Sequence, residues 1–231
     1  MSDPAISDPT ARDHDRDSRA VVALFFDRLD HDLAAGGTPA PVRRAVVERI
    51  RAGYAELVAA PTELPDDAAR SNLRYVAAVV AAHRVLREDH PADTLLDWLT
   101  SAFVEPLAGA VTAGTRAMLD AAPDPFAAMV AVARERESTD FGAEFRFAHP
   151  HDDDGRFHAD VHRCGYHEHL TRLGEPGLTP VLCAFDTSWI RAIDPERHGF
   201  AFTRATTIGL GGTHCPFHFR RTGRAGERSD G

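Results

Sequence analysis

The feature that most constrains the fold of this 231-residue chain is a change of hydrophobic period near Ser138. Before that point, apolar residues recur every three or four positions. Val22, Phe25, Phe26, Leu29 and Leu33 share one helix face, with Ser18 able to cap the helix and Gly36-Gly37 to end it. Val46, Ile50, Tyr54 and Leu57 repeat the pattern up to Pro61, and a further helix is predicted over 67–87 with Leu73, Val76 and Val80 inward. Leu95, Trp98, Leu99, Ala102 and Phe103 predict another, which Pro106 ends or kinks, before a helical stretch to about Leu119. Asp124-Pro125 reads as a cap followed by proline in the first turn, opening a helix that carries Phe126, Met129, Val130 and Ala133.

After Ser138 the alternation is between neighbours, as strands require. Phe145-Arg146-Phe147 and the run from Arg156 to Arg163 alternate across a turn at Asp152–Gly155. A helix is predicted over 166–173 and a second from Pro180 to about Ile193, followed by strands over 200–208 and 215–220. The order β-β-α-α-β-β implies an α+β fold: a helical part packed with a small, mainly antiparallel sheet and two helices. The expected division is a disordered tail over 1–17, helices over 18–140, a mixed catalytic part over 141–221 and a second disordered tail over 222–231. With no convincing linker between them, the helical and mixed parts are expected to form one compact unit.

Composition removes several functions. The net charge of −9 offers no field for a nucleic-acid backbone. No apolar run approaches a membrane span, and residues 1–18 are polar and charged, unlike a signal peptide. Three cysteines do not make a disulfide framework, so a soluble, cytoplasmic protein with reduced thiols is expected. Every basic residue is arginine. Without lysine there is no Schiff-base chemistry and no P-loop lysine for a nucleotide phosphate.

The reactive side chains gather in the mixed segment, which holds Cys164, Cys183 and Cys215 and nine of the 13 histidines. A strand would place His158, Asp160, His162 and Cys164 in a row on one face. A helix would make Cys183 and Asp186 neighbours, three positions apart. The stretch from Thr206 through Gly209, Gly211 and Gly212 to Cys215 is a glycine-rich loop able to aim backbone N–H groups at an anion. Two chemistries compete. In one, a thiolate of Cys164 or Cys215 attacks an electrophilic carbon, aided by a histidine or by Arg204 or Arg163, with Asp186 as acid, base or orienting group. In the other, His158, His162, Cys164 and Cys215 surround zinc or another transition metal, although no familiar metal-ligand spacing supports it. Cys183 lies among Val181, Leu182, Ala184 and Phe185, where a buried structural thiol is an equal reading. Arg204 suits either a substrate carboxylate or a salt bridge to Asp186.

Four segments in order, Asp160–Tyr166, Pro180–Asp186, Phe202–Gly209 and Cys215–Phe219, resemble the L-2-amino-thiazoline-4-carboxylic acid hydrolase family. The resemblance covers about Phe145 to Phe219. It rests on a Cys closing a strand, a Leu-Cys-x-x-Asp helix, an Arg-x-x-Thr strand and a terminal Cys-x-Phe-x-Phe. It implies hydrolytic opening of a small cyclic amidine-type ring, a 2-amino-thiazoline-4-carboxylate-like thiazoline, at a carbon–nitrogen bond in amino-acid or specialised (secondary) metabolism. The matching positions are Cys164, Cys183, Asp186, Arg204, Thr207 and Cys215, with Arg204, Thr207 and Arg163 as substrate-binding candidates. No cofactor is implied. The implied partner is a small molecule carrying a carboxylate, with no nucleic acid and no membrane, and homo-oligomerisation is left open. The histidine load departs from the family pattern and keeps the zinc alternative in view.

Overall fold

The computed structural model describes residues 13–60 and 63–223. Five long helices come first: α1 (His14–Ala35), α2 (Ala40–Ala59), α3 (Asp67–Leu86), α4 (Ala92–Ala121) and α5 (Pro125–Arg136). α3 is the hub. Its run of Val76, Ala77, Ala78, Val79, Val80, Ala81 and Ala82 is buried all round, because small and β-branched side chains let neighbouring helices approach from several sides. α1 adds Val22, Phe25, Phe26 and Leu29 to that core, and α4 adds Leu95, Leu99 and Phe103.

Two helix boundaries differ from the sequence reading. α1 starts five residues earlier than a Ser18 cap implies, capped by Asp13, whose carboxylate accepts the Arg16 N–H at 3.0 Å. Residues 13–17, assigned from sequence to a tail, are therefore largely helical; residues 1–12 and 224–231 of the two expected tails lie outside the described residues. Ser18 is buried inside the helix, donating to the His14 carbonyl at 2.7 Å and accepting from Arg74 at 2.9 Å. Pro106 does not end a helix: α4 runs through it from Ala92 to Ala121. The missing N–H costs one helical hydrogen bond, and the packing of α4 against the core outweighs it.

A π-turn over Glu137–Phe141 and a 3-10 turn over Gly142–Glu144 carry the chain from α5 into β1 (Arg146–Asp153). β2 (Arg156–Arg163) follows, then α6 (Gly165–Arg172), α7 (Thr179–Cys183), α8 (Thr187–Ile190), α9 (Pro195–His198), β3 (Phe200–Thr203) and β4 (Cys215–Arg221). The single helix expected over 180–193 is broken by a 3-10 turn at Ala184–Asp186, and β3 stops at Thr203 instead of reaching residue 208. Among the described residues the strands form one antiparallel sheet in the order β1-β2-β4-β3. Its inner face presents Phe157, Ala159, Phe200 and Phe219 to Leu119, Phe126, Met129 and Trp189. Leu170, Leu178, Val181 and Leu182 of the later helices join the α1–α4 core, so α6 and α7 are packed into the helical layer. No helix among the described residues is long and apolar enough to cross a membrane.

Candidate functional site

A cavity of about 310 Å³ lies between the sheet's inner face and the helices, and Cys164, Cys183, Asp186, Arg204 and Cys215 all line it. Each arrives there from a different element end. Cys164 follows β2 and occupies the cap position of α6, where the Tyr166 and His167 backbone N–H groups approach its sulfur. Only glycine fits next: a Cβ at position 165 would lie 2.9 Å from Glu144 Cβ and 2.9 Å from Phe145 Cε2. Cys183 is the last residue of α7 and is half-buried. Cys215 opens β4 opposite Val161, and its Sγ accepts the Ile208 N–H at 3.1 Å.

Asp186 and Arg204 form an ion pair. Arg204 Nη1 donates to Asp186 Oδ2 at 2.5 Å, while Trp189 Nε1 donates to Oδ1 at 3.0 Å. Arg204 also donates to the Cys183 carbonyl at 3.3 Å and lies over the Phe217 ring at 5.2 Å. Of the two partners open to Arg204 from sequence, the ion pair to Asp186 is the one formed. Thr207 stands just behind the cavity. Its buried hydroxyl has no nitrogen or oxygen partner and sits close enough to Cys183 to favour that thiolate. Its carbonyl accepts from Leu210 at 3.0 Å and Gly212 at 2.9 Å, closing the glycine loop. Gly212 is required by close approach, since a Cβ there would meet Thr206 Cγ2 at 2.7 Å.

Burial dominates the electrostatics of the thiols. It pushes Cys164 up to about 12 and Cys183 up to about 11, and it raises Cys215 as well. Opposing it are the backbone N–H groups at Cys164, Thr207 and Arg204 at Cys183, and the Ile208 N–H and Arg204 at Cys215. Charge on any one thiol would disfavour charge on its neighbours, because Cys183 and Cys215 both act on Cys164 and Cys215 acts on Cys183. Burial thus disfavours the thiolate form at all three positions.

Arg163 is not brought to the site. It is exposed and forms a two-point ion pair with Glu168 at 2.7 and 2.9 Å, outside the cavity lining. The expected row of His158, Asp160, His162 and Cys164 is also broken, because the chain leaves the strand after Arg163. The pleat puts His158, Asp160 and His162 on the sheet's outer face, while Cys164 swings to the cavity. His158 stacks on His218 with centroids 3.8 Å apart, and His218 contacts Asp160 at 2.8 Å. The proposed metal set of His158, His162, Cys164 and Cys215 is thus split across the sheet. Among the described residues no group of three or more His, Cys, Asp or Glu could hold a metal ion. His169, another member of the histidine cluster, is buried against Glu144 at 2.8 Å and ties α6 to the turn before β1.

Part of the cavity was not read from the sequence at all. Tyr75 and Asn72 of α3, Phe103 of α4, and Arg136 and Asp140 near the end of α5 line it. Asn72 donates to the Asp140 and Phe141 carbonyls at 3.3 Å each, and Arg136 Nε pairs with Asp140 Oδ2 at 2.7 Å. The available signal was Ser71-Asn72, a polar pair just ahead of the apolar run Val76–Ala82 of α3.

The family model described as L-2-amino-thiazoline-4-carboxylic acid hydrolase matches residues 71–219, from the first turns of α3 to the end of the sheet. The chain belongs to that family of hydrolases. The match includes the α3 residues that line the cavity, which the sequence motifs between 145 and 219 did not reach. No curated protein matches the chain.

Proposed function

We propose that this chain is a cysteine-dependent hydrolase that opens a small cyclic amidine-type ring, with Cys215 as the nucleophile. The observation that carries the reading is the convergence of three thiols, a carboxylate and an arginine on one cavity. Cys215 is chosen because its sulfur both accepts a backbone N–H and feels the Arg204 charge. The family description supplies the ring class.

In this reading the substrate helps to make the nucleophile. A protonated amidine entering the cavity offsets the desolvation that keeps the thiol neutral, and the sulfur's proton passes to a solvent water as the cation arrives. The Cys215 thiolate then bonds to the amidine carbon, and the electron pair of the C=N bond moves to nitrogen. Departure of the ring nitrogen as an amine, after it takes back a proton from solvent water, opens the ring. Water adds to the same carbon and the thiolate leaves, giving an S-carbamoyl product. Asp186, fixed by Trp189 and Arg204, positions the arginine instead of carrying protons itself.

Alanine replacement of each cysteine, assayed for consumption of 2-amino-thiazoline-4-carboxylate, tests the assignment. Cys215→Ala is expected to lower turnover by about 10³-fold or more, as loss of a covalent nucleophile does. Equal turnover in all three variants would remove the cysteine mechanism. A product with a new amine fits scission of the carbon–nitrogen bond, whereas a new free thiol would move the break to the ring's carbon–sulfur bond.

A further inference from the structure

The cavity is both too large and too well neutralised for the small anionic ring in the family's description. At about 310 Å³ it is roughly twice the ~150 Å³ apolar void that holds benzene, which leaves room for an aromatic group beside a five-membered ring. The walls match that occupant: Tyr75, Phe103, Phe141, Tyr166, Trp189 and Phe217 supply aromatic surface from six separate elements.

The charges point the same way. The lining contains two arginines, Arg136 and Arg204, against three carboxylates, Glu137, Asp140 and Asp186. Both arginines are already engaged, Arg136 with Asp140 at 2.7 Å and Arg204 with Asp186 at 2.5 Å. Each also lies over an aromatic ring, Phe141 at 5.5 Å and Phe217 at 5.2 Å. A substrate carboxylate would have to displace a carboxylate of the protein to gain an arginine, which exchanges one ion pair for another with no net charge gained. The three carboxylates are engaged as well, Glu137 with His149 Nε2 at 2.8 Å, so what a cationic amidine gains without breaking an ion pair is the ring faces of Tyr75, Phe103, Tyr166 and Trp189, over which cations are favoured.

We infer that the natural substrate is a cyclic amidine with an aromatic or similarly bulky apolar substituent and no carboxylate on the ring. The inference rests on the ring-opening reading above for the amidine, and on the cavity alone for the substituent and the charge. Equilibrium binding separates the two. Cys215→Ala is titrated calorimetrically with 2-aminothiazoline, its 4-carboxylate and its 4-phenyl derivative, and wild-type protein is assayed with all three. The phenyl derivative is expected to bind at least tenfold more tightly than the carboxylate. Carboxylate binding as tight or tighter, or no binding of any of the three, overturns the inference. The expected binding order without ring opening by wild type keeps it and instead removes the hydrolase reading.

A second variant asks whether the aromatic chamber is the cause. Ala133 lines the cavity from α5, and Ala133→Leu puts extra volume into the chamber in a residue that suits a helix. It is expected to reduce the preference for phenyl over unsubstituted ring by at least fivefold, at an unchanged melting temperature. An unchanged preference would place the substituent elsewhere and overturn the assignment of the chamber.

Discussion

Arg204 and Asp186 hold each other at 2.5 Å between Nη1 and Oδ2, and the pair joins two chain segments at the cavity. Asp186 stands in the turn between α7 and α8, and Arg204 follows β3. The guanidinium reaches on to the Cys183 carbonyl, and the carboxylate on to Trp189. Their charges act in opposite directions on the thiols: Arg204 lowers Cys183 and Cys215, and Asp186 raises them. The pair therefore leaves burial in control and keeps the thiols protonated until a ligand changes the balance.

Replacing Asp186 with asparagine should separate reactivity from catalysis. The amide can still accept from Trp189 but no longer neutralises Arg204, whose charge then acts unopposed on Cys183 and Cys215. Alkylation by iodoacetamide at pH 8, followed by mass spectrometry of the labelled thiols, is expected to accelerate. Ring-opening kcat/KM is expected to fall at least tenfold, because the arginine is no longer held. Breaking a partly buried pair costs about 1–3 kcal/mol of stability. Slower alkylation at Cys183 and Cys215 would contradict this account of the pair.

The thiols also set an alkaline limit to stability. Burial raises Cys164 to about 12 and Cys183 to about 11, above the ~8.5 of an unfolded cysteine. A group whose pKa is raised in the folded state contributes its stability fully below the unfolded pKa and loses it as pH rises through the folded value. Chemical denaturation should show stability declining from about pH 8.5 towards pH 11–12. Cys164→Ala should flatten that decline, although its cavity lowers stability at pH 7 by about 1 kcal/mol. A wild-type profile that stays level to pH 11 would show the thiols to be less desolvated than their positions imply.

Much of the frame was legible because periodicity reports burial directly. The helices over 67–87 and from Pro125, and the hairpin around residue 154, follow from spacing alone, and the structure has them at Asp67–Leu86, Pro125–Arg136 and Arg146–Arg163. The converging thiols were visible as short motifs, each at the end of a strand or helix. Three things were not legible. Pro106 reads locally as a break, yet tertiary packing on both sides of it sustains α4. A period of two extended through Cys164 puts the thiol beside the histidines, whereas one residue of turn before α6 reverses its direction. The contribution of Tyr75 and Arg136 is long-range, and ordinary helical residues carry no local mark of the cavity they close.

Gly165→Ala tests whether the position of Cys164 depends on the turn behind it. The added Cβ would come within 2.9 Å of Glu144 Cβ and Phe145 Cε2. Neither can move freely, since Glu144 is held by His169 at 2.8 Å and Phe145 packs against Tyr166 at 5.2 Å between centroids. Overpacking of this kind costs about 1–3 kcal/mol. Denaturant unfolding is expected to show that loss, together with reduced ring opening. An alanine variant with wild-type stability would mean that the turn relaxes without strain.

On the outer face of the sheet, the buried ring of His158 sets an acid limit. It stacks on His218 of β4 at 3.8 Å and meets His151 of β1 edge-on at 4.7 Å, and its Nε2 is buried without a partner. Desolvation is the main cause that lowers its pKa below the ordinary value, followed by His218, His151 and Arg220, with Asp160 opposing them. A group whose pKa is depressed in the folded state contributes stability above the unfolded pKa, here about 6.5, and loses it as pH falls through the folded value. Stability should therefore decline from about pH 6.5 downward as protonation forces charge into the stack. His158→Phe keeps an aromatic ring against His218 but cannot be protonated, so its melting temperature should fall less between pH 7.5 and pH 5 than that of wild type. The His158 ring resonances, followed by NMR across the same range, should titrate below the ordinary histidine value of about 6.5. A His158 that titrates at or above the ordinary value, or a variant with the wild-type acid decline, would move the acid sensitivity elsewhere in the fold.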